Sequence, residues 1–414
     1  VCDVPPILWP RRSRAPNPAL LAPHRLTASW IFMALHGESS DRKPPADYDL
    51  WVTERERVRI AIDGRALSGP AAGVRRYVTE LWRAMGRVEP EVTGVALGGD
   101  AVSARAAGLS HQRVGSLLPT NLGWSALALP RAVRKLRPDV FHAPAYTAPL
   151  WGARPLVLTI HDVSYARHPE WYPHSSGALR QAFYRRSAHR ADRIITDSTF
   201  SRDEIVAAYG VDPAKIAVIP LGVSADFRPG PPSRREPIIL HVGDLHTRRN
   251  LRLLLEVVAG LSLSIPGLTL VLVGTDRGEA ASLTALAKTL DASDVLQVAG
   301  TVRERDLCAW YQRAAVLAYP SRYEGFGLPL LEAMACGTPV VASRGSSLTE
   351  VVGDAGVLVE PDDREGWARA LREVLEQPDH AADLSRRGLA RAAGFTWAAT
   401  AALTADVYRS LRTK

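Results

Sequence analysis

Short apolar runs recur along the chain, each followed by a stretch of helical or loop character. A first series comprises VRIAID (58–63), EVTGVAL (91–97), DVFHAP (139–144), PLVLTIHD (155–162), DRIITDS (192–198) and KIAVIPLGV (215–223). The proline-rich FRPGPPSRREP (227–237) interrupts it. A second series follows: PIILHVGD (237–244), LTLVLVGT (268–275), VLQVAG (295–300), AVLAYPS (315–321), TPVVAS (338–343) and GVLVEP (356–361). Runs this apolar suit strands buried on both faces. Strands alternating with helices at this spacing form parallel sheets covered by helices on both sides. The pattern predicts an α/β chain of two Rossmann-like domains with parallel sheets facing a central cleft. Ligands of such sheets lie at the carboxyl ends of the strands, so both domains are expected to aim those ends at the cleft.

A length of 414 residues agrees with two domains, being more than one ordinary core accommodates. The expected boundaries are 58–228 for the first, 229–396 for the second, and 397–414 for a terminal helix that crosses back toward the first. Residues 1–57 are rich in proline and arginine and lack sustained periodicity. They read as a disordered tail or a misassigned start.

Composition narrows the class. Hydrophobic residues at 46% and charged residues at 23% are those of a soluble globular protein. The longest apolar stretch near the start, LTASWIFMAL (26–35), is too short to span a membrane. The three cysteines, Cys2, Cys308 and Cys336, are odd in number and far apart in sequence. A disulfide framework or zinc site is therefore not expected, and the reading is cytoplasmic. A net charge of +8 permits anionic partners. Its densest stretches, RAVRKLR (131–137) and RQAFYRRSAHRADR (180–193), read as solvated helix faces, with peripheral contact at the inner face of a membrane as the functional alternative. Nucleic acid is not expected, because no basic module interleaved with aromatics is present. Asp47 and Asp49 form the D-x-D of the chain but follow no strand, and His161, His168 and His174 lack ligand spacing. No metal and no cofactor is expected.

One stretch carries the chemistry: SRYEGFGLPLLEAMACGTPVVAS (321–343). It reads as a turn, a short helix 328–335 and the next strand. Pro329 sits where a helix needs no N–H, and Gly337 suits the left-handed residue past its end. The N–H groups of Phe326, Gly327 and Leu328 open that helix, and a helix N-terminus attracts phosphate. Glu324 and Glu332 bracket the turn. A carboxylate beside a phosphate repels it, but it accepts hydroxyls well. A ligand with phosphate in the middle and polyol rings on both sides, a nucleotide sugar, satisfies both; two glutamates that merely cap and solvate the helix are the plain alternative.

EGFGLPLLEAMACGTPVVAS resembles the E-x7-E signature of retaining glycosyltransferase family 4, the group 1 glycosyltransferases, which have the GT-B fold. HVGDLHTRRNLRLLLE (241–256) resembles the phosphate-binding segment of that family, and LVLTIHDVSYARHPEWYP (156–173) the segment with its cleft histidine. AGVRRYVTEL (72–81) resembles the N-terminal glycine loop, and the resemblance runs through about 58–412. It implies an acceptor-side first domain and a nucleotide-sugar-binding second domain. It implies that Glu324 holds hydroxyls of the transferred sugar, Glu332 the ribose, and Arg249, assisted by Arg248, the diphosphate. His161 matches the histidine near the sugar and leaving phosphate. Asp162 beside it is expected to orient the imidazole or an acceptor hydroxyl.

Gly243 and Gly73 match family glycines, while Gly274, Gly300, Thr301 and Val302 fall where the base is held. Two departures stand out. Asp244 occupies a position where many relatives keep arginine, and is expected to point away, pairing with Arg248 or Arg249. Arg75 replaces the second loop glycine, where it contacts phosphate or closes off acceptor space. The details lean toward bacterial mannosyltransferases that move mannose from GDP-mannose to a glycan or lipid-linked acceptor. A UDP-sugar transferase, an epimerase and a catalytically silent nucleotide-sugar binder are the alternatives.

Overall fold

A computed structural model describes residues 57–412 other than 70, 117–119, 121–122, 150, 173–176 and 232–234. Cys2, residues 26–35, Asp47, Asp49, His174 and the expected tail up to residue 56 lie outside the described residues.

The first series of runs becomes β1 (Val58–Asp63), β2 (Val92–Leu97), β4 (Val140–Ala143), β5 (Leu156–Thr159), β6 (Arg193–Thr196) and β7 (Ile216–Val218), joined by the edge strand β3 (Ser110–Gln112). They form one parallel sheet in the order β3-β2-β1-β4-β5-β6-β7. The second series becomes β8 (Glu236–Val242), β9 (Thr269–Val273), β10 (Leu296–Gly300), β11 (Ala314–Tyr319), β12 (Val340–Ser343) and β13 (Val357–Val359). Their sheet is also parallel, in the order β10-β9-β8-β11-β12-β13. β4, β5 and β12 are buried at every position, which is why their sequences read as unbroken apolar runs. β3 (SHQ) is polar and at the edge, and so escapes that pattern. Strand order reverses between β1 and β4 and between β8 and β11, and each reversal opens a crevice at the strands' carboxyl ends.

The chain crosses twice between the two sheets. After β7 it enters the second sheet, and the last helix, Trp397–Leu411, returns to pack on the helix Ala72–Val88 of the first. Tyr408 anchors the return: its hydroxyl meets Nδ1 of buried His142 at 2.7 Å, and its ring stacks on Trp82 at 6.5 Å. Nε2 of His142 meets the Thr159 hydroxyl at 2.7 Å. Burial, with His161 nearby, pushes the pKa of His142 down to about 3, so this relay is neutral. Arg409 pairs with Glu89 and Glu91. At the crossing, Val223 bridges Thr396, and the backbone of Gly222 lies against that of Trp397 with no space for a Cβ.

The two basic stretches fall on helices Leu129–Leu136 and Ala178–Arg190, with Arg131, Arg134, Lys135, Arg180, Arg185 and Arg186 exposed. Among the described residues no helix is long and apolar enough to cross a membrane. Cys308 and Cys336 are free thiols, yet their sulfurs lie 3.8 Å apart. Adjacent helices bring together two residues that are far apart along the chain.

The crossing generates a paired stability prediction. Gly222→Ala forces a methyl into the Trp397 backbone and should cost about 1–3 kcal/mol. Gly86→Ala, on the helix Ala72–Val88 with open space around it, should instead stabilise by about 0.5–1 kcal/mol. Urea unfolding of the two variants checks both signs.

Candidate active site

The loop after β11 and the helix Leu328–Ala335 build the centre of the site. Gly327 opens the helix with φ +114°, and Pro329 occupies its first turn. Serines tie the loop down: Ser347 Oγ lies 2.8 Å from the Glu324 carbonyl and 2.9 Å from the Phe326 carbonyl and shares its one proton between them. Ser321 Oγ donates to the Glu324 carboxylate at 2.5 Å.

Glu324 is buried and carries two cations. Arg248 Nη1 lies 3.2 Å from one carboxylate oxygen, and Arg249 Nη1 pairs with the other. Arg248 also donates to the Tyr323 carbonyl at 2.9 Å. Burial opposes the charge of Arg248, but Glu324 and Asp162 outweigh it and hold the guanidinium protonated. Arg249 reaches the Tyr319 hydroxyl, and its buried Nε has no hydrogen-bond partner among the described residues. Such a donor is free to bond a polar group that enters the cradle. Both arginines sit on the short turn Thr247–Arg249 after β8. The cradle is thus at the β8–β11 reversal, where Gly243 and Gly274 bring the ends of β8 and β9 into contact. Gly274 donates to the Gly300 carbonyl at 2.9 Å, and the Thr301 hydroxyl meets that of Thr275 at 3.2 Å. Val302 is half-buried beside them, packed against the core.

Asp244 points away from the cradle, as its sign requires, but its partner is not Arg248 or Arg249. It pairs with Arg277 at 2.9 Å, on the segment after β9. Glu324 takes both cradle arginines instead.

Across the cleft, His161 follows β5. Its Nδ1 meets Asp197 Oδ2 at 2.7 Å, and its ring stands edge-on to Tyr77 at 4.8 Å. The imidazole is therefore oriented by Asp197, at the end of β6, and not by its neighbour Asp162. The Asp162 carboxylate is turned back to accept from Ser164 N at 3.0 Å and Ser164 Oγ at 2.8 Å. Burial disfavours the imidazolium, but the charge and hydrogen bond of Asp197, with Asp162 behind, raise the His161 pKa above its ordinary value.

The two sides meet at the loop. A Cβ on Gly325 would overlap the His161 carbonyl, so only glycine allows this approach. Ser198 and Ser201 donate to the Gly325 carbonyl at 2.8 and 3.1 Å. Glu350 caps the helix Thr199–Tyr209, accepting from Phe200 N at 2.7 Å and Thr199 N at 2.9 Å. Glu332 is also engaged across the cleft. One oxygen pairs with Arg76 of the helix Ala72–Val88, and the other accepts from the Tyr311 hydroxyl at 2.8 Å. Arg75 donates to the Gly69 carbonyl and braces that loop. Gly73 lies exposed in the first turn of its helix.

Two family models match consecutive parts of the chain: "Glycosyltransferase Family 4" over residues 71–227 and "Glycosyl transferases group 1" over 224–391. The O-antigen chain mannosyltransferase B of Escherichia coli is 32% identical over 292 residues, which are 68% of this chain and 76% of that relative. The chain belongs to the group 1 glycosyltransferases. A glycogen synthase of Mycobacterium tuberculosis is 33% identical over 66% of this chain and 69% of its own length. A D-inositol 3-phosphate glycosyltransferase of Kineococcus radiotolerans is 36% identical, but the match spans 53% of this chain and only 57% of that relative. Among solved structures, the sucrose-phosphate synthase of Thermosynechococcus elongatus superposes with a TM-score of 0.71 at 23% identity, covering 86% of this chain and 99% of the other. The Anabaena protein HepE, in complex with UDP and glucose, gives 0.69 at 20% identity over 86% and 100%. These likenesses bear out the GT-B fold expected of this glycosyltransferase.

Sequence reasoning missed Asp197, Arg76, Tyr311 and Glu350. Asp197 carried a usable signal, a carboxylate directly after a strand in DRIITDS. Arg76 stands beside Arg75, and spacing alone did not tell which of the two faces the partner domain. The His161–Asp197 pair generates a prediction. In the parent, the His161 imidazole should titrate above 6.5 by heteronuclear NMR. Asp197→Asn removes the compensating charge while burial remains, so its pKa should fall below that of the parent. An unmoved titration would place the raising charge elsewhere.

Proposed function

We propose that the chain moves a hexose, mannose in this reading, from GDP-mannose to a hydroxyl of a glycan or lipid-linked acceptor, with retention of configuration. One observation carries the proposal: Glu324, with Arg248 and Arg249 fixed on it, sits at the donor-sheet crevice with His161 pressed against the same loop. The mannosyltransferase relative supports mannose. A glycogen synthase of similar identity keeps other nucleotide sugars as the second reading.

In this reading the diphosphate lies on the first turn of the helix Leu328–Ala335, against Arg249 and Arg248. Each carboxylate oxygen has two lone-pair directions. Arg249 and Ser321 fill one Glu324 oxygen and Arg248 takes one direction of the other, so Glu324 holds its arginines in place and accepts one sugar hydroxyl as well. Glu332 accepts ribose hydroxyls while keeping Tyr311. The bond between the sugar's anomeric carbon and the phosphate oxygen breaks through an oxocarbenium-like state. The acceptor oxygen bonds that carbon on the same face, and its proton passes to the departing phosphate. Protein charges need only stabilise the departing oxygens and the sugar, through the arginines, the helix N–H groups and His161. The exposed arginines of Leu129–Leu136 and Ala178–Arg190 offer an anionic membrane surface a contact.

A thermal-shift panel of GDP-, UDP- and ADP-sugars tests the donor: GDP-mannose should give the largest shift, and a larger UDP-sugar shift would select the second reading. Glu324→Gln removes one charge-assisted contact, worth roughly 1.5–3 kcal/mol, so turnover should fall about tenfold to a hundredfold. Arg249→Ala should weaken nucleoside diphosphate binding and slow transfer together, more than Arg248→Ala does. Asp244→Asn breaks only a solvent-exposed pair and should be mild. Calorimetric titration of GDP and UDP into the three arginine and aspartate variants checks the order. Stronger dependence on Arg248 than on Arg249 would contradict it.

A further inference from the structure

Two thiols meet beside the second sheet and take no part in the chemistry described above. Cys308 lies midway along the helix Glu304–Arg313, and Cys336 ends the helix Leu328–Ala335. Their sulfurs are in contact at 3.8 Å. A disulfide sets its sulfurs about 2.05 Å apart, so a small approach closes the bond.

The two thiols differ in access. Cys336 is fully buried, and burial beside a second sulfur pushes its thiol up, so it stays protonated at neutral pH. Cys308 is half-buried. Its sulfur accepts from Gln312 Nε2 at 3.2 Å and lies 3.9 Å from the Arg228 carbonyl, on the linker between the sheets. An oxidant arriving from solvent meets Cys308 first, and Cys336 stands behind it as the second sulfur.

The same two helices hold Glu332. Tyr311, one turn after Cys308, donates its hydroxyl to Glu332 at 2.8 Å, and Glu332 lies one turn before Cys336. The thiol pair and the tyrosine–carboxylate pair are therefore adjacent rungs between the helices. The Arg235 guanidinium donates to the carbonyls of Tyr311, Ala314 and Cys336 at 2.8, 2.9 and 3.0 Å. It pins the far end of the first helix to the end of the second. An approach of the sulfurs is then taken up by the segment from Cys308 to Tyr311. A close-packed interior has no slack to absorb it, so the Tyr311 hydroxyl shifts from Glu332.

We propose that Cys308 and Cys336 form a reversible disulfide, closed by a low-molecular-weight disulfide, and that closing it loosens Tyr311 from Glu332 and weakens nucleotide binding. The exchange balances. Deprotonated Cys308 attacks one sulfur of the small disulfide, forms a mixed disulfide and expels one small thiol. The Cys336 sulfur, giving up its proton, attacks Cys308 Sγ and expels the second. Two protein thiols lose two electrons and two protons, and the small disulfide gains both as two thiols. The effect on nucleotide binding rests on the reading of Glu332 as the ribose acceptor; the disulfide itself does not.

The full chain carrying Cys2→Ser, treated with oxidised glutathione, tests it. Intact mass should fall by the two hydrogens lost, and trypsin should release residues 306–313 joined to 323–344. Dithiothreitol should undo both. By calorimetry, the oxidised chain should bind GDP or UDP, whichever the reduced chain binds, roughly fivefold or more weakly, in keeping with a weakened hydrogen bond to a charged group. Cys308→Ser in the same background should bind that nucleotide like the reduced parent and not respond to the oxidant. Circular dichroism melts show that each form is folded. An unreacted pair, a glutathione adduct on Cys308 that never resolves, or a cross-link that forms only in urea would overturn the proposal. So would unchanged nucleotide affinity in the cross-linked chain, or an equal loss in oxidant-treated Cys308→Ser. If the reduced chain binds neither nucleotide, the donor reading fails and the coupling with it, while the mass still decides the disulfide.

Discussion

A buried carboxylate between two guanidinium groups sets the geometry on which the rest of the site depends. Taking Glu324 out of water is costly unless its charge is matched and its oxygens are bonded. Arg248, Arg249 and Ser321 supply both. In return, Glu324 aims the two arginines from the turn after β8, and the arginines hold the loop after β11 against that turn. The crevice at the β8–β11 reversal is therefore charged and preorganised. That is the environment in which oriented charges act most strongly on developing negative charge.

The same loop also joins the domains. Gly325 has no side chain, so its backbone reaches that of His161, and Ser198 and Ser201 hold its carbonyl. Glu350 seals the N-terminus of the helix after β6, and Glu332 meets Arg76 from the first domain. Each carboxylate of the loop-and-helix unit is thus matched by a cation or a helix end. In the glycosyl-transfer reading, Glu332 binds ribose while shared with Arg76, which makes donor binding and domain contact interdependent.

Much of this was legible in the sequence, and for identifiable reasons. Parallel strands buried on both faces leave unbroken apolar runs, so the strands of both sheets other than β3 were visible. β3 was not, because three polar residues at an edge carry no such signal. The helix Leu328–Ala335 was readable from Gly327, Pro329 and Gly337, since backbone geometry demands those residues. Pairing across the fold was not readable. Asp244 finds Arg277, His161 finds Asp197 and Glu332 finds Arg76, each partner lying on a different element of the fold. The nearness of Cys308 and Cys336 was hidden for the same reason. Sequence spacing reports neighbours along an element, whereas these contacts are set by which elements lie side by side.

The central claim is that the charged loop at the donor crevice supports glycosyl transfer from a nucleotide sugar on one face of the sugar. Proton NMR of the product formed from GDP-mannose and an acceptor pyranoside tests it most directly, because the one-bond carbon–proton coupling at the new anomeric centre reports its configuration. The account predicts an α-linked product, matching the donor, formed in step with release of nucleoside diphosphate. A β-linked product, or a protein that binds the nucleotide but turns over no nucleotide sugar, would contradict it.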